Sequence, residues 1–173
     1  MRHIFLDIDG VVATNATYSR WRKAGSPETF DAYVGLLDPA LVAEVDRLAQ
    51  EAGAGIVVSS SWREPSTQPY LVEDVLRSAG ITVPIVGRTP VLALPTSLRI
   101  RGNTRGYEIN AYVVAYDLAL EDFVVFDDDT GASASPPGSP VRHGSRVIFT
   151  PEATGIGKGH LRRARKLFGL PPL

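Results

Sequence analysis

Asp7 and Asp9 stand one residue apart at the end of the apolar run Ile4-Phe5-Leu6, and Gly10 follows at once. Side chains in a strand alternate with period two, so both carboxylates point to the same face. An apolar run of this kind reads as a buried parallel strand that delivers acid to the edge of a sheet. Two like charges this close repel unless a cation lies between them, and the counter-ion suited to hard oxygen ligands is Mg²⁺. Gly10 allows a turn out of the strand that a bulkier residue resists. A second apolar run, Phe123-Val124-Val125-Phe126, ends the same way, in Asp127-Asp128-Asp129. A third, Ile56-Val57-Val58, ends in Ser59-Ser60-Ser61.

Carboxylates around Mg²⁺, a hydroxyl at a strand end and a nearby cation meet the needs of phosphoryl transfer from an ester to water. The metal and the cation neutralise phosphate oxygens, and the hydroxyl hydrogen-bonds another. One aspartate can serve as nucleophile, and a second can protonate the leaving alcohol and then activate water.

The elements that position these groups follow from periodicity. Asp38-Pro39 provides an N-cap and a first-turn proline, and Leu41, Val42, Val45, Leu48, Ala49 and Ala52 keep one helical face until Gly53. A second helix is expected over 71–79, closed by Gly80, and a strand over 81–86 that Pro84 keeps from an interior place in a sheet. Ile109, Tyr112, Val113 and Tyr116 mark a helix beginning near Gly106. Val147-Ile148-Phe149 reads as a last strand and 160–168 as a last helix. Strands alternating with helices imply a doubly wound, mostly parallel α/β sheet of the Rossmann-like kind, with ligands beyond the carboxyl ends of the strands. Residues 13–37 are polar and aromatic without sustained period and read as a loop insertion or small cap. Residues 130–145, rich in Gly, Ala, Ser and Pro, read as a surface loop.

Composition bounds the alternatives. The 173 residues, 44% hydrophobic and 21% charged, suit one domain with its own core. The formal charge of −1 offers no global attraction to nucleic acid or membrane. With no cysteine, disulfides and thiolate chemistry are excluded, and His3, His143 and His160 lack ligand spacing for zinc. The amino terminus reads as neither signal peptide nor membrane span, so the expectation is a cytoplasmic protein with no membrane partner. Thr154-Gly155-Ile156-Gly157-Lys158 has the wrong spacing for a nucleotide-triphosphate loop. The basic residues Arg162, Arg163, Arg165 and Lys166 read as the solvent face of an amphipathic helix.

Asp7-Ile8-Asp9-Gly10-Val11, the serine cluster, Thr104-Arg105-Gly106 and the Asp127–Asp129 triplet occur in the order of the four motifs of the haloacid dehalogenase (HAD) superfamily of phosphohydrolases, which the chain resembles from residue 2 to about 149. The resemblance implies a HAD-type fold, Mg²⁺ and an aspartyl-phosphate intermediate. It makes Asp7 the nucleophile and a metal ligand, and Asp9 the general acid/base, also placed at the metal. Ser60 becomes the phosphate-binding hydroxyl, with Ser59 as rival, and Arg105 the phosphate-binding cation, with Arg101 as rival. Asp128 completes the metal site; Asp127, Gly10 and Arg63 support it. Ser60-Ser61-Trp62-Arg63 and Arg105-Gly106-Tyr107-Glu108-Ile109 are similar to a small-cap branch associated with RNA repair, which implies a nucleotide or a phosphorylated nucleic-acid end as substrate. A binding module that holds such an end without turnover, and a phosphotransferase acting on another acceptor, are the alternatives. Trp62 is read as packing.

Overall fold

A computed structural model describes residues 1–67, 69–95 and 104–172. Five strands form one sheet: β1 (Arg2–Leu6), β2 (Ala54–Val58), β3 (Ile85–Arg88), β4 (Phe123–Asp127) and β5 (Val147–Phe149). Every pairing is parallel and the order is β3-β2-β1-β4-β5. The chain therefore steps outward from β1 in one direction and then, through β4, in the other. The carboxyl ends of β1 and β4 flank that reversal, where open α/β sheets bind ligands.

Helices α3 (Pro39–Ala52), α4 (Val72–Ser78) and α6 (Lys158–Phe168) cover one face, packing on Ile4, Leu6, Ile56, Val58, Val124 and Phe126. Helix α5 (Arg105–Ala115) covers the other, where Ile109, Tyr112 and Val113 meet Phe5, Val57 and Val125. The alternation of Phe5 and Leu6 between the two faces is the strand period made visible. Local signals explain the longest helix. Asp38 Oδ1 accepts from the backbone N–H groups of Ala40 and Leu41, Pro39 opens the first turn, and Gly53 ends α3 in the left-handed conformation.

Two expectations are corrected, and a third segment holds a detail the sequence did not show. The third strand occupies Ile85–Arg88 rather than 81–86, because Pro84 has no N–H to give and contributes only its carbonyl, which accepts from Ile56. It lies at the sheet edge, where a nearby proline is tolerated. The last helix begins two residues early, at Lys158, where His160 Nδ1 accepts the N–H of Gly157 at 2.9 Å. The segment read as a surface loop, 130–145, holds a buried anchor: His143 is fully enclosed, its Nε2 on the Ala132 carbonyl at 2.8 Å and its Nδ1 facing Ser135 and Asn110. Burial lowers its pKa, which keeps the ring neutral.

The insertion at 13–37 folds into two short helices, α1 (Asn15–Lys23) and α2 (Phe30–Val34). Thr14 and Thr17 cap α1 reciprocally. No helix among the described residues is long and apolar enough to cross a membrane.

Candidate active site

Leu6 is level with Val58 of β2 and with Phe126 of β4, and Val58 is level with Arg88 of β3. One residue further along, Asp7, Ser59, Asp127 and Thr89 form a row across the carboxyl edge. Side-chain alternation turns that row toward the α5 face. Arg105, the first residue of α5, closes over it: Nη1 lies 3.1 Å from Asp7 Oδ1 and 3.0 Å from Asp127 Oδ2. Burial alone would lower the Arg105 pKa, but Asp7 and Asp127 together hold it above its ordinary value.

Asp7, Asp127 and Asp128 each present an oxygen, and the three oxygens lie within 4.8 Å of one another. Burial first, and then the Asp7 charge, raises Asp127 well above the usual carboxylate range and pushes Asp128 up to about 6. Asp7 and Asp127 share the one guanidinium of Arg105, so the three carboxylates together are short of positive charge. Their donors are hard oxygens, and both facts fit Mg²⁺.

The turn after β1 permits this crowding. The Ile8 carbonyl accepts from Val11, Val12 and Ala13, and Gly10 stands at φ +68°. A Cβ on Gly10 would come within 2.5 Å of Asp128 Oδ2, so glycine is needed both for the backbone conformation and for the closeness of the two acidic segments.

Asp9 stands apart from the three-acid group. Tyr18 Oη donates to its Oδ1 at 2.6 Å, and Trp62 Nε1 donates to its Oδ2 at 3.0 Å. Burial raises its pKa; the Tyr18 hydrogen bond works against that rise and the Asp7 charge adds to it. The sequence did not mark Tyr18 or Trp62 as partners of Asp9. The available signal was the concentration of aromatic residues in a polar insertion without helical period.

The two serines differ. Ser60 Oγ accepts the N–H of Trp62 at 3.3 Å and so caps the 3-10 turn Ser61–Arg63. Ser59 Oγ is buried and has no hydrogen-bond partner among the described residues, as is the case for Thr89 Oγ1 beside it in the row. Arg63 is turned away from the acids. Its guanidinium donates to the carbonyls of Ser59, Ser60, Thr89 and Pro90 and pairs with Glu108 at 2.6 Å, both side chains being almost wholly enclosed. Glu108 also accepts from Thr104 Oγ1 and Leu92 N. This pair fastens the ends of β2 and β3 to the first turn of α5, and so sets the distance between Ser59 and Arg105. Arg101 lies outside the described residues. An apolar groove of about 560 Å³ between Tyr107, Val114 and Pro137 is on the outer side of α5 and is lined by none of the acids, serines or arginines named above.

The fold is a parallel α/β domain whose carboxyl edge gathers carboxylates from two neighbouring strands, a buried strand-end hydroxyl and a helix-borne arginine. The chain belongs to the haloacid dehalogenase superfamily, and the family model that matches it, over residues 3–161, describes the HAD domain in Swiss Army Knife RNA repair proteins. Membership places it among proteins of phosphatase-type chemistry. No curated protein and no solved structure matches it.

Proposed function

We propose that the protein is a Mg²⁺-dependent phosphatase that forms an aspartyl-phosphate on Asp7, acting on a nucleotide or a phosphorylated nucleic-acid end. The observation that supports this most is the three-acid group, two of whose members Arg105 bridges, with the Ser59 hydroxyl, unpartnered among the described residues, in the same row. Asp7 Oδ1 is taken by Arg105 and by the N–H of Ile8 at 2.8 Å, while Oδ2 accepts no hydrogen bond among the described residues. Oδ2 is therefore the attacking atom. It bonds to phosphorus as the ester oxygen departs, and Asp9 gives that oxygen its proton. Asp9 then takes a proton from water, whose oxygen attacks the phosphorus and frees Asp7.

Arg105 and Ser59 hold the phosphoryl oxygens. The hydroxyl role falls to Ser59 in preference to Ser60, whose oxygen already caps a turn. Asp7, Asp127 and Asp128 are the residues that would hold Mg²⁺, with Asp9 outside that group. When bound, the ion neutralises charge on the phosphoryl group. The family description, which names RNA repair, supports a nucleic-acid end as substrate.

A panel of nucleoside monophosphates, 3′- and 5′-phosphorylated oligonucleotides and sugar phosphates tests this reading through phosphate release. Asp7→Asn is expected to abolish release, with an unchanged circular dichroism spectrum. An unimpaired variant overturns the nucleophile, and wild-type activity in excess EDTA overturns the metal. Binding of phosphorylated ends without release would identify a binding module instead, and phosphate delivered to an added alcohol a transferase.

A further inference from the structure

Helix α6 carries five cations and no acid in eleven residues, in a chain whose formal charge is −1. Leu161, Ala164 and Phe168 are buried against the sheet, while Lys158, Arg162, Arg163 and Lys166 are exposed. Arg165 pairs with Glu51 of α3; the four exposed cations form no ion pair among the described residues. Lys158, Arg162 and Lys166 follow one another in steps of four, which puts them in one row with about 6 Å of rise between neighbours. Cations in the last turn complement the helix dipole, but Lys158 stands in the first turn, where the dipole favours an anion. Dipole compensation therefore does not explain the row. The row begins beside the candidate site. Ile156 N donates to the Val11 carbonyl at 2.9 Å and Thr150 Oγ1 to the Gly10 carbonyl at 2.7 Å, so the segment that leads into α6 is fastened to the turn after Asp7 and Asp9. At the other end Phe168 lies under the guanidinium of Arg2, the first residue of β1. The exposed cations thus run from the carboxyl edge of the sheet, where the acids are, down the outside of the domain.

We propose that the exposed face of α6 is a docking track for the sugar-phosphate backbone of an RNA strand whose phosphorylated end occupies the active site. The proposal rests on the reading of that site as one for a phosphorylated end, but binding along α6 does not require turnover. Exposed cations at even steps suit a polymer that carries one negative charge per unit. The apolar side of α6 is taken up in the core, so the helix has no apolar face to lay into a membrane. The family description names RNA repair, which favours RNA over DNA.

A 3′-phosphorylated oligoribonucleotide with a 5′-fluorescein label, followed by fluorescence anisotropy in EDTA, reads this binding without turnover. Each phosphate neutralised on a single strand contributes about −0.7 to the slope of log K against log salt. The four α6 contacts therefore contribute about −3, or roughly fiftyfold in affinity between about 50 and 200 mM KCl. With Arg162→Gln, Arg163→Gln and Lys166→Gln together, about −0.7 of that contribution is expected to remain, or roughly threefold. All three positions are exposed, so the fold is expected to persist, which an unchanged circular dichroism spectrum checks. In turnover with Mg²⁺ the same variant should hydrolyse adenosine 3′-monophosphate at the wild-type rate and show a raised KM for the oligoribonucleotide.

A slope and an affinity unchanged in the triple variant overturn the track. So does an equal loss from Arg20→Gln, Arg22→Gln and Lys23→Gln, three exposed cations on α1, since net charge alone would then account for the effect. Preference for a DNA strand of the same sequence overturns the choice of RNA. Sedimentation of the protein with phosphatidylserine vesicles, at a salt concentration that releases the RNA, assigns the face to a membrane and overturns the track as well. Strand binding that depends on α6, without phosphate release from any ester, upholds the track and overturns the phosphatase reading.

Discussion

Asp46 and the Asp7, Asp127 and Asp128 group are carboxylates folded into opposite ends of the same sheet. Asp46, on α3, meets the chain just before it enters β3. Its oxygens accept from the N–H of Thr82 at 2.7 Å, the N–H of Val83 at 3.1 Å, Thr82 Oγ1 at 2.7 Å and Gln50 Nε2 at 2.7 Å. Burial alone would raise its pKa, but these four donors bring it below the ordinary value. At the carboxyl edge, by contrast, one arginine serves three acids and pairs with only two of them, and Asp127 and Asp128 are raised. Where the fold uses a carboxylate for structure, it saturates it with neutral donors. Where it gathers carboxylates and leaves them short of donors, the shortfall is available to an external cation and its ligand. Glu108 is of the first kind although it lies near the second, since one buried arginine and two neutral donors satisfy it.

The largest effect expected from this contrast is at Glu108. Glu108→Ala leaves the Arg63 guanidinium charged and unmatched in the interior, at a cost of about 3–5 kcal/mol in denaturant unfolding. Removing both partners, with Arg63→Leu and Glu108→Leu, should cost less than the single change, because no charge is then stranded. A double variant less stable than Glu108→Ala would show that the pair matters for more than mutual neutralisation.

A smaller loss is expected at the far end. Asp46→Asn turns an amide N–H₂ toward donors, leaving a bond unmade, and should cost about 1–3 kcal/mol. The sign with pH follows from the lowered pKa. The folded protein holds this proton less tightly than the unfolded chain, so the stabilisation is complete above the ordinary carboxylate value of 3.8 and is lost as pH falls through the folded pKa. The difference between wild type and Asp46→Asn should therefore be constant near neutrality and shrink below pH 3.8. A difference that grows on acidification would contradict the assignment of Asp46 as the stabilised carboxylate.

Most of this architecture was legible in the residues. Asp38-Pro39 and Gly53 bound α3 because capping is local chemistry, and the runs ending in Asp7, Ser59 and Asp127 are strands because buried parallel strands are continuously apolar. What was not legible depends on register and on contacts distant in sequence. Ser59 and Ser60 differ by one residue, and only the pairing of Leu6 with Val58 decides which side chain shares a face with Asp7. Arg63 and Glu108 are 45 residues apart, and nothing local distinguishes a buried arginine from an exposed one. The two aromatic holders of Asp9 were hidden for the same reason: Trp62 reaches it from 53 residues away. His143 looked unremarkable in a segment of turn-forming residues, and its burial is a property of the groups around it.

The smallest expected effect tests the contrast most directly, because its sign is opposite. Asp128 is crowded by Asp7 and receives no side-chain cation among the described residues. Asp128→Asn relieves that repulsion and should raise stability by about 0.5–1 kcal/mol in EDTA, as replacements at strained functional positions commonly do. Asp46→Asn lowers it under the same conditions. Added Mg²⁺ should then stabilise the wild type in proportion to the logarithm of its concentration above Kd. Asp128→Asn, with one ligand oxygen fewer and one charge less, should gain little, so the order of the two melting temperatures reverses between EDTA and millimolar Mg²⁺. If Asp128→Asn is destabilising in EDTA, the carboxyl edge is already satisfied without a cation. The difference drawn between the two ends of the sheet would then not hold.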